Sequence, residues 1–173
     1  MKNLYFLGLF LVTSLLFAQD KDVFDIARKG SVSELRSLHQ IEQDIINTTN
    51  EAGYSPLTLA CYYNNVEVAS YLIAHAEDIN GSSKMGTPLM AATYKGDVEI
   101  VRMLLKKGAD PNISDPNGTT ALIYATMFQN KEIVKMLIEA DADIYHIDNK
   151  GKSAYDYAKM HDDKELITIF KTK

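Results

Sequence analysis

Beyond an apolar leader, the chain alternates short apolar stripes with clusters of turn-forming residues. Leu57, Ala60 and Cys61 recur at i, i+3 and i+4, the spacing of one helical face. Ser55-Pro56 and Thr87-Pro88 precede such stripes, with a hydroxyl at the N-cap and proline at the first helical position, where its missing N–H costs nothing. A second helix is predicted over VEIVRMLLKKG, residues 98–108, stopped by Gly108. Gly96 ends the helix before it, and Asn64 stands in the equivalent place one unit earlier. Turn formers follow in ADPNISDPNG, residues 109–118. The pattern predicts an all-α chain of short helix pairs joined by turns.

The pairs repeat. A hydroxyl residue recurs at Ser55, Thr87, Thr120 and Ser153, and an alanine at Ala60, Ala92, Ala125 and Ala158, both at intervals of 32, 33 and 33. Glu34, Glu67, Glu99, Glu132 and Glu165, each followed by an aliphatic residue, recur at intervals of 33, 32, 33 and 33. Three columns in one register define structural repeats. The one missing residue falls beside Gly86, in a predicted loop, where it spares the helices.

Thr87-Pro88-Leu89, Ala92, Gly96, Glu99-Ile100-Val101, Leu104-Leu105, Gly108-Ala109-Asp110 and Asn112 together resemble the ankyrin repeat family. The resemblance implies a solenoid of stacked antiparallel helix pairs joined by β-turn or hairpin loops. It divides residues 19–173 into an N-terminal cap at 22–51, repeats at 52–84, 85–117 and 118–150, and a C-terminal cap at 151–173. Caps are expected because one repeat cannot bury its own apolar face and the stack needs polar ends. Ala27, Gly30, Glu34 and Asn47 hold the register in the first cap, and Asp156 and Lys159 put charge on the last. In one respect the chain departs from the family. The residue after the leucine of T-P-L is usually His, and here that slot holds Thr58, Met90, Ile123 and Asp156. The hydrogen bond that this His makes to the loop is therefore absent or replaced.

Residues 1–18 change the picture of where the chain works. One lysine is followed by an apolar run from Leu4 to Ala18, then polar residues begin. This is the layout of a secretory signal peptide, shorter than the roughly 20 residues of a spanning helix. Cleavage is expected after Ala18, although Leu16 is not the small residue usually wanted two positions before the cut; an uncleaved N-terminal anchor is the other reading. The expected location is periplasmic or secreted, with no stable membrane insertion after cleavage. A signal peptide on a small single-domain chain of this family resembles bacterial periplasmic ankyrin proteins. Cys61 is the one cysteine, so stability is expected from packing and not from an internal disulfide.

Charge and candidate chemistry narrow the function. The whole chain carries a formal net charge of -5. Removing the leader with Lys2 leaves 17 basic and 23 acidic side chains, a net of -6. That balance argues against binding a phosphate backbone, which needs a basic face. The five aligned glutamates sit where a carboxylate meets the positive end of a helix dipole, and they are expected to be structural. The loop aspartates Asp78, Asp110, Asp115, Asp143 and Asp148 suit turns that bond their own backbone. His39, His75, His146 and His161 include no pair at i, i+4 on one helix, and no phosphate loop or Gly-x-Ser-x-Gly elbow is present. No catalytic, cofactor or metal residue is assigned, and an enzyme is not expected.

What remains are the positions where the repeats differ. In ankyrin proteins, partners contact the loop tips and the exposed end of each first helix, which line a concave face. Carried over, the resemblance puts Tyr62 and Tyr63, Tyr94 and Lys95, and Met127 and Phe128 at helix ends, with Tyr54, Lys84, Met85 and Asn117 at loop tips. A merely solvated face would be rich in Lys, Glu, Asn and Arg. Aromatics and Met at three successive repeats instead suggest an interface. The competing reading has these rings pack on one another and on the loops. The expected function is non-catalytic protein binding by a monomer through its concave face, as an adaptor or protective envelope protein. The alternative is an inhibitor or immunity-type protein that blocks a toxin or enzyme.

Overall fold

The computed structural model describes residues 22–172. The leader and its cleavage point lie outside the described residues. Ten α-helices follow in pairs: α1 (Val23–Lys29) with α2 (Val32–Ile41), α3 (Pro56–Tyr62) with α4 (Val66–His75), α5 (Pro88–Lys95) with α6 (Val98–Lys106), α7 (Ala121–Met127) with α8 (Lys131–Glu139), and α9 (Ala154–Met160) with α10 (Lys164–Lys171). A 3-10 turn, Gln43–Asn47, follows α2. No β-strand forms among the described residues, only isolated bridges within loops. None of the described helices is long and apolar enough to cross a membrane.

The first helices stack in one row, α1 on α3, α3 on α5, α5 on α7 and α7 on α9, while α2, α4, α6 and α8 make a second row. The alanine column sets the spacing of the first row. Ala27, Ala60, Ala92, Ala125 and Ala158 are all fully buried, and a larger side chain there would push helices apart. The caps behave as their chemistry dictates. Ser55, Thr87, Thr120 and Ser153 each accept the amide three residues on. At the end of the first helices, Asn64, Gly96, Gln129 and Asp162 all take the left-handed conformation. Gly30 does not: its φ is -86°, and the N-terminal cap leaves its first helix by an extended turn.

An asparagine ladder ties each turn to the next. Asn47, Asn80 and Asn112 accept the amides of Glu77, Asp110 and Asp143 through their side-chain oxygens at 3.1, 2.9 and 2.7 Å. Members of the glutamate column reach back to the preceding repeat or to their own cap. Glu132 pairs with Arg102 at 3.0 Å, Glu165 pairs with Lys131 at 2.7 Å, and Glu34 closes a capping box on Ser31. On such exposed pairs the energetic contribution is small.

The empty histidine slot is filled in three ways. Thr58 hydrogen-bonds Ser55 at 3.0 Å, Met90 and Ile123 are buried in the core, and Asp156 accepts the Ser153 amide at 3.0 Å. None of these bonds reaches the preceding loop. That task passes to the next residue along. Tyr124 donates its hydroxyl to Asp115 at 2.8 Å, and Tyr157 donates to Asp148 at 2.6 Å. The loop bond is therefore moved by one position in two repeats, and the two others carry Leu59 and Ala91 there, which have no polar group to offer.

Candidate functional site

The exposed sides of the first helices and the neighbouring loop tips enclose a groove. Five predicted residues line it: Tyr62, Lys84, Met85, Tyr94 and Asn117. They are joined by Met90, Ala91, Asp115 and Tyr124, around a volume of about 250 Å³.

The aromatic residues form a continuous chain of rings. Tyr63 meets Tyr62 edge-on at 5.4 Å between centroids, and Tyr62 stacks beside Tyr94 at 6.0 Å. Tyr94 meets Phe128 edge-on at 5.2 Å and Tyr124 edge-on at 5.8 Å. The Lys95 ammonium lies 5.2 Å from the centre of the Tyr62 ring. The rings therefore pack on one another, as the competing reading has them. Tyr63, Tyr94 and Phe128 nevertheless remain 51%, 47% and 51% exposed. Edge-to-face packing lets each ring support its neighbour and still offer a face to solvent.

The remaining predicted residues divide. Tyr63, Lys95 and Phe128 lie beside the groove lining and join it through their ring contacts. Tyr54 and Met127 are half-buried against the core and lie outside the lining. Lys84 and Lys95 are exposed, and Met85 is half-buried.

The groove floor rests on Asp115. Its Oδ1 accepts the amides of Asn117 at 2.8 Å and Thr119 at 2.9 Å, while Oδ2 accepts the Tyr124 hydroxyl. Burial, then the Asp115 carboxylate, push the Tyr124 phenol up to about 12. Asp115 orders its own turn, as its place in a turn cluster implies. Its bond to Tyr124 goes beyond that expectation, although the sequence holds a signal for it. Tyr124 and Tyr157 stand one repeat apart, as do Asp115 and Asp148, in the register of the cap and alanine columns.

A second polar cluster lies between the cap and the first full repeat. His39 and Tyr71 share a hydrogen bond at 2.8 Å, His75 Nδ1 donates to the Tyr71 carbonyl at 2.7 Å, and the two imidazole centres are 5.8 Å apart. Sequence spacing on a single helix does not reveal this pair, because adjacent repeats bring it together. Among the described residues no three His, Cys, Asp or Glu side chains converge to hold a metal ion. Cys61 is fully buried, and burial pushes its thiol well above the ordinary range, which removes it as a nucleophile.

The chain matches the family model for ankyrin repeats in three copies over residues 23–115 and 108–171. Among curated proteins it is 37% identical over 102 residues to the ankyrin repeat and SAM domain-containing protein 6 of Rattus norvegicus, covering 58% of this chain and 12% of that one. It is 33% identical over 111 residues to the palmitoyltransferase AKR1 of Kluyveromyces lactis, covering 60% of this chain and 14% of that one. A putative ankyrin repeat protein, FPV230 of Fowlpox virus, is 36% identical over 98 residues, covering 56% of this chain and 51% of the viral protein. The chain thus spans from about an eighth to about half the length of these three relatives.

Proposed function

This chain belongs to the ankyrin repeat family, and from that premise we propose that it is a non-catalytic module that binds a partner protein in the groove between α3, α5 and α7. Ankyrin repeats mediate contacts between proteins, and the fold itself carries no target. The observation that supports this site is the ring chain, held in place by its own packing and half open to solvent at Tyr63, Tyr94 and Phe128. Contiguous exposed aromatic surface of this kind marks interaction sites. The polar groups beneath the rings are committed to structure: Asp115 is held by two amides and a phenol, an arrangement that stabilises a loop rather than a reacting group.

We propose further that the chain works outside the cytoplasm, from the leader at residues 1–18. Amino-terminal sequencing of the protein isolated from its cells tests this; a mature chain beginning at Gln19 is expected, and one beginning at Met1 would overturn cleavage. Capture of partners from the envelope fraction tests the binding site. The double variant Tyr62→Ala, Tyr94→Ala is expected to keep the helical circular dichroism spectrum and lose the partner. Retention of the partner at wild-type affinity sinks the groove assignment. Mixing the complex with the partner's substrate separates the two roles. An adaptor leaves the partner active, and an inhibitor silences it.

A further inference from the structure

We infer that the groove takes an acidic segment of its partner, an extended stretch in which a carboxylate stands next to a Met or aromatic side chain. The inference rests on the protein-binding reading above and adds the chemistry of what is bound.

Size comes first. The groove holds about 250 Å³, below the roughly 300–1,000 Å³ of clefts that enclose free small molecules. It fits a large side chain delivered by a polypeptide. Its apolar lining is Tyr62, Met85, Met90, Tyr94 and the ring of Tyr124, a mixture that suits a Met or an aromatic ring.

Charge comes second. The chain as a whole is acidic, with a net of -5. At the groove the sign reverses. Lys84 stands exposed at a turn tip, and Lys95 holds its ammonium over Tyr62. Neither has an ion-pair partner among the described residues, whereas Lys131 and Lys135 on α8 are paired with Glu165, and Lys159 with Asp156. The one acid in the lining, Asp115, is buried and has its oxygens filled by Asn117, Thr119 and Tyr124. It is not placed to hold an incoming ammonium group. A carboxylate at the rim can take Lys84 or Lys95, neither of them ion-paired among the described residues, so a charge-assisted hydrogen bond forms without displacing an existing ion pair.

Selection of a random peptide library on phage against the full folded chain tests the inference. Wild type is expected to enrich peptides with Asp or Glu beside Met, Phe, Tyr or Trp. Their affinity falls about tenfold on Tyr94→Ala, and it weakens on raising sodium chloride to about 0.5 M. The charge reversal Lys84→Glu, Lys95→Glu, at two exposed positions, is expected to enrich Lys and Arg instead. Neutral or basic peptides on wild type that still depend on Tyr94 overturn the acidic segment and leave the binding site standing. Peptides indifferent to Tyr94→Ala overturn the groove itself, and a selection without enrichment overturns both.

Discussion

The 83–86 turn and the 115–119 loop border the same groove and each leads into a threonine-capped helix, yet they are held by different means. In the first, Ser83 and Gly86 exchange backbone hydrogen bonds at 3.1 and 3.0 Å around a tip made of Lys84 and Met85. The Ser83 hydroxyl adds a bond to the Gly86 carbonyl at 3.0 Å. In the second, a buried carboxylate gathers two amides and a phenol, and the next repeat clamps the outside. Asn149 donates to the carbonyls of Asn117 and Pro116, each at 3.0 Å, and His146 bonds the Gly118 carbonyl at 2.8 Å. One loop commits its polar side chain to its own rigidity and leans on its neighbour. The other is closed by a backbone pair and by the Ser83 hydroxyl, which also accepts the Met85 amide at 3.2 Å, and it leaves the Lys84 side chain exposed and the Met85 side chain half-buried. The repeat that lost a residue is therefore the one that displays a lysine and a methionine to the groove, and it is flanked by a repeat that gives the groove a fixed wall.

The largest test of this difference is Asp115→Ala against Ser83→Ala. Removing the carboxylate strands two amides and the Tyr124 hydroxyl, at a cost of about 3 kcal/mol. Removing the Ser83 hydroxyl leaves the backbone pair intact, at a cost of about 1 kcal/mol. Urea unfolding of both variants measures the gap, and equal losses would break the comparison. Gly86→Ala is the next in size, at about 2 kcal/mol. Gly86 has a φ of +78°, and an added Cβ would run into the sulfur of buried Met90. Gly53→Ala is its control: φ is +80° but nothing lies near the added carbon. Only the backbone cost of about 1 kcal/mol then remains.

Titration separates the loops in a second way. The Asp148 carboxylate and the burial around Tyr157 push that phenol up to about 12, and Tyr124 behaves alike. A phenol whose pKa is raised by folding stabilises the fold fully below its unfolded value near 10, and this stabilisation is lost as pH rises from there toward 12. Burial pushes the Asp148 carboxyl up, but the Tyr157 hydroxyl and the amides of Lys152 and Lys150 outweigh it and leave the group below its usual value. Its contribution is present above the unfolded pKa and is lost as pH falls through the folded one. The variant Tyr124→Phe, Tyr157→Phe should lose about 1 kcal/mol per hydroxyl at neutral pH and flatten the fall in stability above about pH 10. An unchanged alkaline slope would assign that fall to other groups.

Much of the fold is legible in the sequence because its causes are local. A cap, an alanine slot and a left-handed helix end each depend on a few consecutive residues, and each repeats. Even Gln129, a poor residue for a positive φ, takes the conformation that its slot demands. The groove is legible in part. Tyr62 and Tyr94 belong to it, while Tyr54 and Met127 turn onto the core, because which way a side chain leans depends on the neighbouring repeat. Tyr124 escapes a sequence reading because the family's histidine rule directs attention to Ile123, one position earlier, and a single step along a helix changes the face. The pairing of His39 with His75 arises from stacking alone.

The smallest stability effect and the sharpest functional one should come from restoring the missing residue. A glycine inserted between Gly86 and Thr87 gives the segment from Ser55 to Thr87 the same length as its counterparts further along the chain. Loop-closure entropy grows slowly with length, so the insertion should cost less than about 1 kcal/mol in urea unfolding. Lys84 and Met85 line the groove from this short tip, however, and a longer turn is expected to move both away from it. A binder that uses them should weaken about tenfold, close to the effect of removing one good polar contact. Unchanged affinity would mean that the short turn is a neutral deletion and that Tyr62, Tyr94 and Lys95 carry recognition without it. A loss of several kcal/mol in stability would instead show that the short turn holds the second repeat together, and the contrast between a displayed tip and a fixed wall would then fail.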